Sequence, residues 1–161
     1  MRSVLACALR APSRTMTETT IVPGTVLGWR PLAEKYAAIY PPLTAEEILA
    51  IIWSESTGNP NAINPKDPSW GLMQITLPIA KAFGMVTDYR KLFDPETNVR
   101  IGAAFLAHLK KSHAAAFPLT DTNCAWPAAY NEGEPNESKH VPDPAYVAAF
   151  VSHLKALGVA V

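Results

Sequence analysis

The 161-residue chain is short of cysteine, of net charge and of long apolar runs. Its two cysteines, Cys7 and Cys124, are too few for a disulfide framework or a cysteine-based zinc site. Fourteen Lys and Arg balance fourteen Asp and Glu, so no bulk attraction draws the chain to nucleic acid or to an anionic membrane surface. No stretch reaches the roughly 18 consecutive apolar residues of a membrane-spanning helix, so membrane insertion is not expected. The four histidines, His108, His113, His140 and His153, are scattered, and no His-x-x-x-His or Cys/His cluster exists. No metal or other cofactor is therefore expected. Alternating apolar and polar runs are scarce as well, which leaves room for a short hairpin around residues 62–75 and no larger sheet.

What the chain does have is apolar content and proline. Hydrophobic residues make up 48% and charged residues 17%, a balance that excludes global disorder. The length suits one domain with a real core. Fifteen prolines, against an average usage of about 5%, promise helices with hard stops. Residues 1–20 read as a flexible or spurious leader. Arg2 precedes the apolar run Val4 to Leu9, but Arg10 breaks that run too soon for a signal peptide, and Met16 offers a second start. Residues 21–161 then form one domain, made in the cytoplasm without a robust export signal.

Local signals place its helices. Leu32–Ile39 is ended by Pro41-Pro42. Thr44 and Glu47 form a capping box ahead of Ile48, Ile51 and Ile52, and Gly58 and Pro60 stop that helix. A loop over 59–70 follows, then a short helix from Thr76 or Pro78 to Gly84. Asp94-Pro95 opens a helix carrying Ile101, Phe105 and Leu109, with Lys110-Lys111 as its solvated end. A further helix covers roughly 120–131. Asp143-Pro144 opens the last one, with Val147, Phe150, Val151 and Leu154 at helical spacing and Gly158 at its end. The expected class is mainly α, a single domain with at most a very small β-hairpin.

Glu55 is the informative carboxylate. It follows Ile52, Ile51 and Ile48 by three, four and seven residues, so it ends an apolar stripe. Burial and the negative end of the helix dipole both disfavour its charged form. A carboxyl kept protonated near neutral pH can act as a general acid, although a Glu turned to solvent or paired with a cation fits the same periodicity. Gly71-Leu72-Met73-Gln74-Ile75, after Trp70, combines a glycine that permits close backbone approach with an amide that can donate and accept. Ala129-Tyr130-Asn131-Glu132-Gly133 sets an aromatic face and an amide before a helix stop. Taken singly, each is also an ordinary turn or cap.

The ordered set resembles the lytic transglycosylase and goose-type lysozyme superfamily. It comprises Glu55-Ser56, Gly71 to Ile75, Asp94-Pro95-Glu96-Thr97-Asn98 with Gly102, and Ala129-Tyr130-Asn131 with Gly133. The likeness spans about residues 44–134. It implies a lysozyme-like helical fold with a sugar-binding cleft and cleavage of the β-1,4 bond between N-acetylmuramic acid and N-acetylglucosamine in peptidoglycan. It makes Glu55 the catalytic acid, then the base that closes a 1,6-anhydro ring on the muramyl unit. Ser56, Asn64, Trp70, Met73, Gln74, Tyr130 and Asn131 are the implied substrate-binding residues.

Two departures from the family pattern stand out. Asn64 occupies a loop place where many members have serine, and Glu132 replaces the usual small residue. Thr76 follows Ile75 where goose-type lysozymes often carry an aspartate, which favours the one-glutamate route. Asp67 and Glu132 remain possible second carboxylates. The implied partner is the glycan strand of peptidoglycan, met by a monomer at the cell wall, with phage-mediated lysis as the expected setting. A hydrolytic lysozyme and a non-catalytic glycan-binding module are the alternatives.

Overall fold

The computed structural model describes residues 20–112, 125–132 and 143–161. Its helices are α1 (Gly24–Leu27), α2 (Arg30–Ile39), α3 (Ala45–Ser56), α4 (Leu77–Gly84), α5 (Pro95–Ser112), α6 (Ala125–Glu132) and α7 (Pro144–Ala156). Three two-residue strands, β1 (Ile63–Asn64), β2 (Ser69–Trp70) and β3 (Ile75–Thr76), lie between α3 and α4, and a 3-10 turn spans Tyr89–Phe93. The mainly helical class with a very small sheet agrees with the sequence reading. The leader up to residue 19, Cys124, His113, His140, Gly133 and the first residues expected in the penultimate helix lie outside the described residues.

α3 forms because its first turn satisfies itself. The Thr44 hydroxyl accepts the Glu47 N–H at 3.2 Å, and the Thr44 N–H donates to the Glu47 carboxylate at 2.8 Å. Just beyond that box the middle of the helix is buried on all sides. Ile48, Leu49, Ala50, Ile51 and Ile52 are five consecutive residues without exposure. The apolar face read from Ile48, Ile51 and Ile52 thus extends all round the middle of the helix, because α1, α2 and α7 all pack on α3, and beyond the box only the last turn, Trp53 to Ser56, is partly exposed. The helix ends in two left-handed residues, Thr57 (φ 52°) and Gly58 (φ 82°). A Cβ at Gly58 would stand 2.6 Å from the Thr25 carbonyl oxygen, so the turn needs glycine both for its backbone and for its contact with α1.

Lys110 also departs from expectation. It is no solvated helix end: its ammonium donates to both Glu47 carboxylate oxygens, at 2.6 and 2.8 Å, and to the Pro42 carbonyl at 2.9 Å. Both side chains are nearly enclosed, so the start of α3 is clamped to the end of α5 by a buried ion pair.

The sheet holds three antiparallel strands in the order β1-β2-β3, one more than a hairpin. The third strand arises because Thr76 takes the extended backbone of an N-cap (φ −84°, ψ 159°) and pairs with Ser69 before α4 begins. The register puts Asn64, Ser69 and Thr76 in one cross-strand row. Behind the sheet, the fully buried Asn98 of α5 fixes the intervening turn. It accepts the Met73 N–H and donates to the Trp70 and Leu92 carbonyls, each at 2.8 Å. Gly102, one turn further on, lets α5 touch that turn, since a Cβ there would meet the Met73 sulfur at 2.4 Å.

Candidate active site

The end of α3, the small sheet, α4, α5 and α6 enclose a cleft of about 330 Å³. Glu55, Asn64, Asp67, Ser69, Gln74, Thr76, Phe105, Tyr130 and Asn131 are among its lining residues. Glu55 reaches it from the last turn of α3, where its carboxyl is half-buried and carries no cationic partner among the described residues. Burial pushes the carboxyl up from its ordinary 4.5 to about 7, and a hydrogen bond from Tyr146 pulls the other way. The Tyr146 hydroxyl donates to Glu55 Oε1 at 2.6 Å. Its own ionisation is driven well up by burial and by the nearby carboxyl, so it remains a donor. At neutral pH Glu55 is therefore present in both forms. It can release a proton and later take one back.

Of the residues singled out from the sequence, Glu55, Asn64, Gln74, Tyr130 and Asn131 meet at this cleft. Tyr130 is locked in place: its hydroxyl donates to the Met73 carbonyl at 2.9 Å, and its ring lies 5.4 Å from that of Phe105. Gln74 spends its amide on the loop itself. Its nitrogen donates to the Ala62 and Gly71 carbonyls, and its oxygen accepts from Ser69 at 3.0 Å. It therefore stiffens the cleft floor, with only residual accepting capacity for a ligand.

Ser56, Trp70 and Met73 stand outside the lining. The Ser56 hydroxyl donates to the Leu72 carbonyl at 2.7 Å and accepts the Gly58 N–H, which ties the end of α3 to the glycine turn. Strand alternation explains Trp70: Ser69 beside it faces the cleft, so Trp70 turns to the other side and stacks on Tyr89 at 5.2 Å. Met73 is fully buried against Gly102. Asp67, at the exposed tip between β1 and β2, does line the cleft. The side chain of Glu132 lies outside the described residues.

Sequence reasoning missed Tyr146. A signal existed: the apolar spacing of α7, read back four residues from Phe150, lands on it. Among the described residues no group of three or more His, Cys, Asp or Glu side chains gathers to hold a metal ion.

Comparison with known proteins gives the family and the fold. The family model described as "Transglycosylase SLT domain" matches residues 33–144. The membrane-bound lytic murein transglycosylase F of Idiomarina loihiensis is 35% identical over 86 residues, covering 53% of this chain and 18% of that protein. The membrane-bound lytic murein transglycosylase C of Pectobacterium atrosepticum is 38% identical over 94 residues, covering 53% of this chain and 26% of its own length. The chain thus spans only about a fifth to a quarter of these relatives. In fold it resembles the 70 kDa soluble lytic transglycosylase of Escherichia coli, with a TM-score of 0.55 and 24% identity over 81% of this chain and 22% of that one.

Proposed function

This chain belongs to the transglycosylase SLT domain family, and on that premise we propose that it cleaves the β-1,4 bond between N-acetylmuramic acid and N-acetylglucosamine in peptidoglycan. One observation carries the reading: a half-buried glutamic acid, raised to about 7, opens into a cleft and receives a hydrogen bond from a half-buried tyrosine. In the first step Glu55 gives its proton to the glycosidic oxygen as the bond to the muramyl C1 breaks and oxocarbenium character develops. In the second, the Glu55 carboxylate takes the proton of the muramyl C6 hydroxyl. That oxygen then bonds to C1, closing the 1,6-anhydro ring and leaving Glu55 protonated for the next cycle. Tyr146 holds the carboxyl in place through both steps. Asn64, Gln74, Tyr130 and Asn131 line the path of the glycan strand.

A second outcome is favoured by one observation, the exposed carboxylate of Asp67 on the same cleft. Two carboxylates across a glycosidic bond can instead activate water, which gives ordinary reducing ends. Digestion of purified peptidoglycan with mass spectrometry of the muropeptides separates the two. Anhydro products support ring closure by Glu55, and reducing ends that vanish in Asp67→Asn support hydrolysis. Glu55→Gln is expected to lose at least about a hundredfold in rate under either outcome, and full activity in that variant overturns the site. Cell-wall action by a monomer goes with this reading, as does a setting in phage-mediated lysis. A holin gene beside this one supports that setting, and a secretion cluster removes it.

A further inference from the structure

Helix α7 packs broadly on α3, and two side chains on one face of it make polar or ring contacts with the last turn of α3. Tyr146 meets Glu55, and His153, seven residues on, meets the two residues just before it. The His153 ring lies flat on Trp53, with centroids 4.0 Å apart and planes 7° from parallel. Its Nδ1 is 3.1 Å from the Ser54 hydroxyl. The same hydroxyl lies 3.0 Å from the Ala50 carbonyl, to which the His153 ring is also hydrogen-bonded, so ring, hydroxyl and carbonyl form one small polar cluster on α3. Residues seven apart lie about two turns, or roughly 10 Å, along one helix face. The apolar packing of Phe150 and Leu154 holds α7 to the core without the directionality of a hydrogen bond, so with one such contact the helix can still roll or slide slightly. Held at both, it cannot, and a slip of one residue (about 1.5 Å) is enough to take a 2.6 Å hydrogen bond out of range.

We propose that His153 is a positioning residue for the reaction: through Trp53 and Ser54 it fixes α7 in the register that keeps the Tyr146 hydroxyl on Glu55. The inference rests on the reading of Glu55 given above. It assigns His153 no contact with substrate. The ring is half-buried; burial pushes its ionisation down and the hydrogen bond with the Ala50 backbone pulls the other way, so it serves as a flat surface joined to Ser54 and Ala50 by hydrogen bonds.

The test is a double-mutant cycle on four proteins: the unaltered chain, Tyr146→Phe, His153→Ala and the pair. Initial rates of muropeptide release from purified peptidoglycan, taken over a range of substrate, give kcat and KM. Loss of a hydrogen bond to the reacting carboxyl sets the expected scale. His153→Ala lowers kcat about tenfold with KM held within about twofold. In the Tyr146→Phe background the same change costs less than about twofold more, because the bond it supports is already gone. Losses that add in full overturn the proposal, as does an unaltered rate in His153→Ala. His153→Phe keeps the stacked ring and is expected to stay within about threefold of the unaltered chain. His153→Leu replaces the alanine variant where alanine does not fold. A second readout needs no turnover: the carboxyl-carbon titration of Glu55, followed by NMR, moves in the same direction for His153→Ala as for Tyr146→Phe. An unmoved midpoint overturns the clasp. Activity that survives Glu55→Gln would remove the assigned role of Glu55, while the titration would still judge the clasp on its own.

Discussion

The Glu55 carboxyl couples chemistry to stability. Free in an unfolded chain it titrates near 4.5, and in the fold near 7. Between those values the folded state binds more protons than the unfolded one, so stability falls as pH rises through the window. Below about 4.5 the carboxyl is neutral in both states and costs nothing. Above about 7 it is charged in both, and the cost of holding the charge half-buried is at its full value. At about 1.4 kcal/mol per pH unit, that cost reaches up to about 3 kcal/mol at pH 8. Glu55→Gln removes the titration. Urea unfolding is expected to find the variant increasingly more stable than the unaltered chain from pH 4.5 to 7, with a level difference beyond. A difference independent of pH would mean that Glu55 ionises like an exposed glutamate. The carboxyl itself was legible in the sequence, because its place behind Ile48, Ile51 and Ile52 is a matter of local spacing. Tyr146 was not legible as its partner, because the contact joins residues 91 apart.

Among the elements, the starts of the helices were readable and their docking was not. Thr44, Asp94 and Asp143 each bond the backbone within three residues, and such caps can be read from a short stretch of chain. α1 and the 3-10 turn are too short, at four and five residues, to show a period. Lys110 looked like a dipole-favoured helix end, and its burial depends on Glu47, 63 residues earlier. The distinction has a measurable consequence. An exposed pair of this kind contributes less than about 1 kcal/mol, whereas removing one partner of a buried pair costs about 3–5 kcal/mol. Lys110→Met is expected to fall in the second range by urea unfolding. Adding Glu47→Gln should recover part of the loss, since the amide oxygen can still accept the Thr44 N–H while the stranded charge is gone. A loss below 1 kcal/mol in the single variant would place the pair in water.

At the scale of the whole molecule, the proposed substrate is a large polymer, and the absence of net charge bears on how the chain would meet it. Fourteen positive and fourteen negative side chains leave no long-range field to pull it toward an acidic wall. The carboxylates at the cleft, Glu55 and Asp67, add no attraction for an anionic strand. On the proposed function, binding then comes from short-range contacts: Asn64 and Thr76 on the sheet, the exposed Asn131, and the small ring edges that Phe105 and Tyr130 leave open to the cleft. Hydrogen bonds and ring contacts of this kind are little affected by salt, whereas attraction between exposed charges decays over about 10 Å at 0.1 M and about 3 Å at 1 M. The KM for purified peptidoglycan is accordingly expected to change less than about twofold between roughly 50 and 500 mM sodium chloride. An enzyme drawn to the wall by a basic face would lose affinity steeply over the same range. A steep rise here would mean that a local basic patch outweighs the neutral total, and Lys66, beside Asp67 at the exposed sheet tip, would be the first residue to neutralise in locating it.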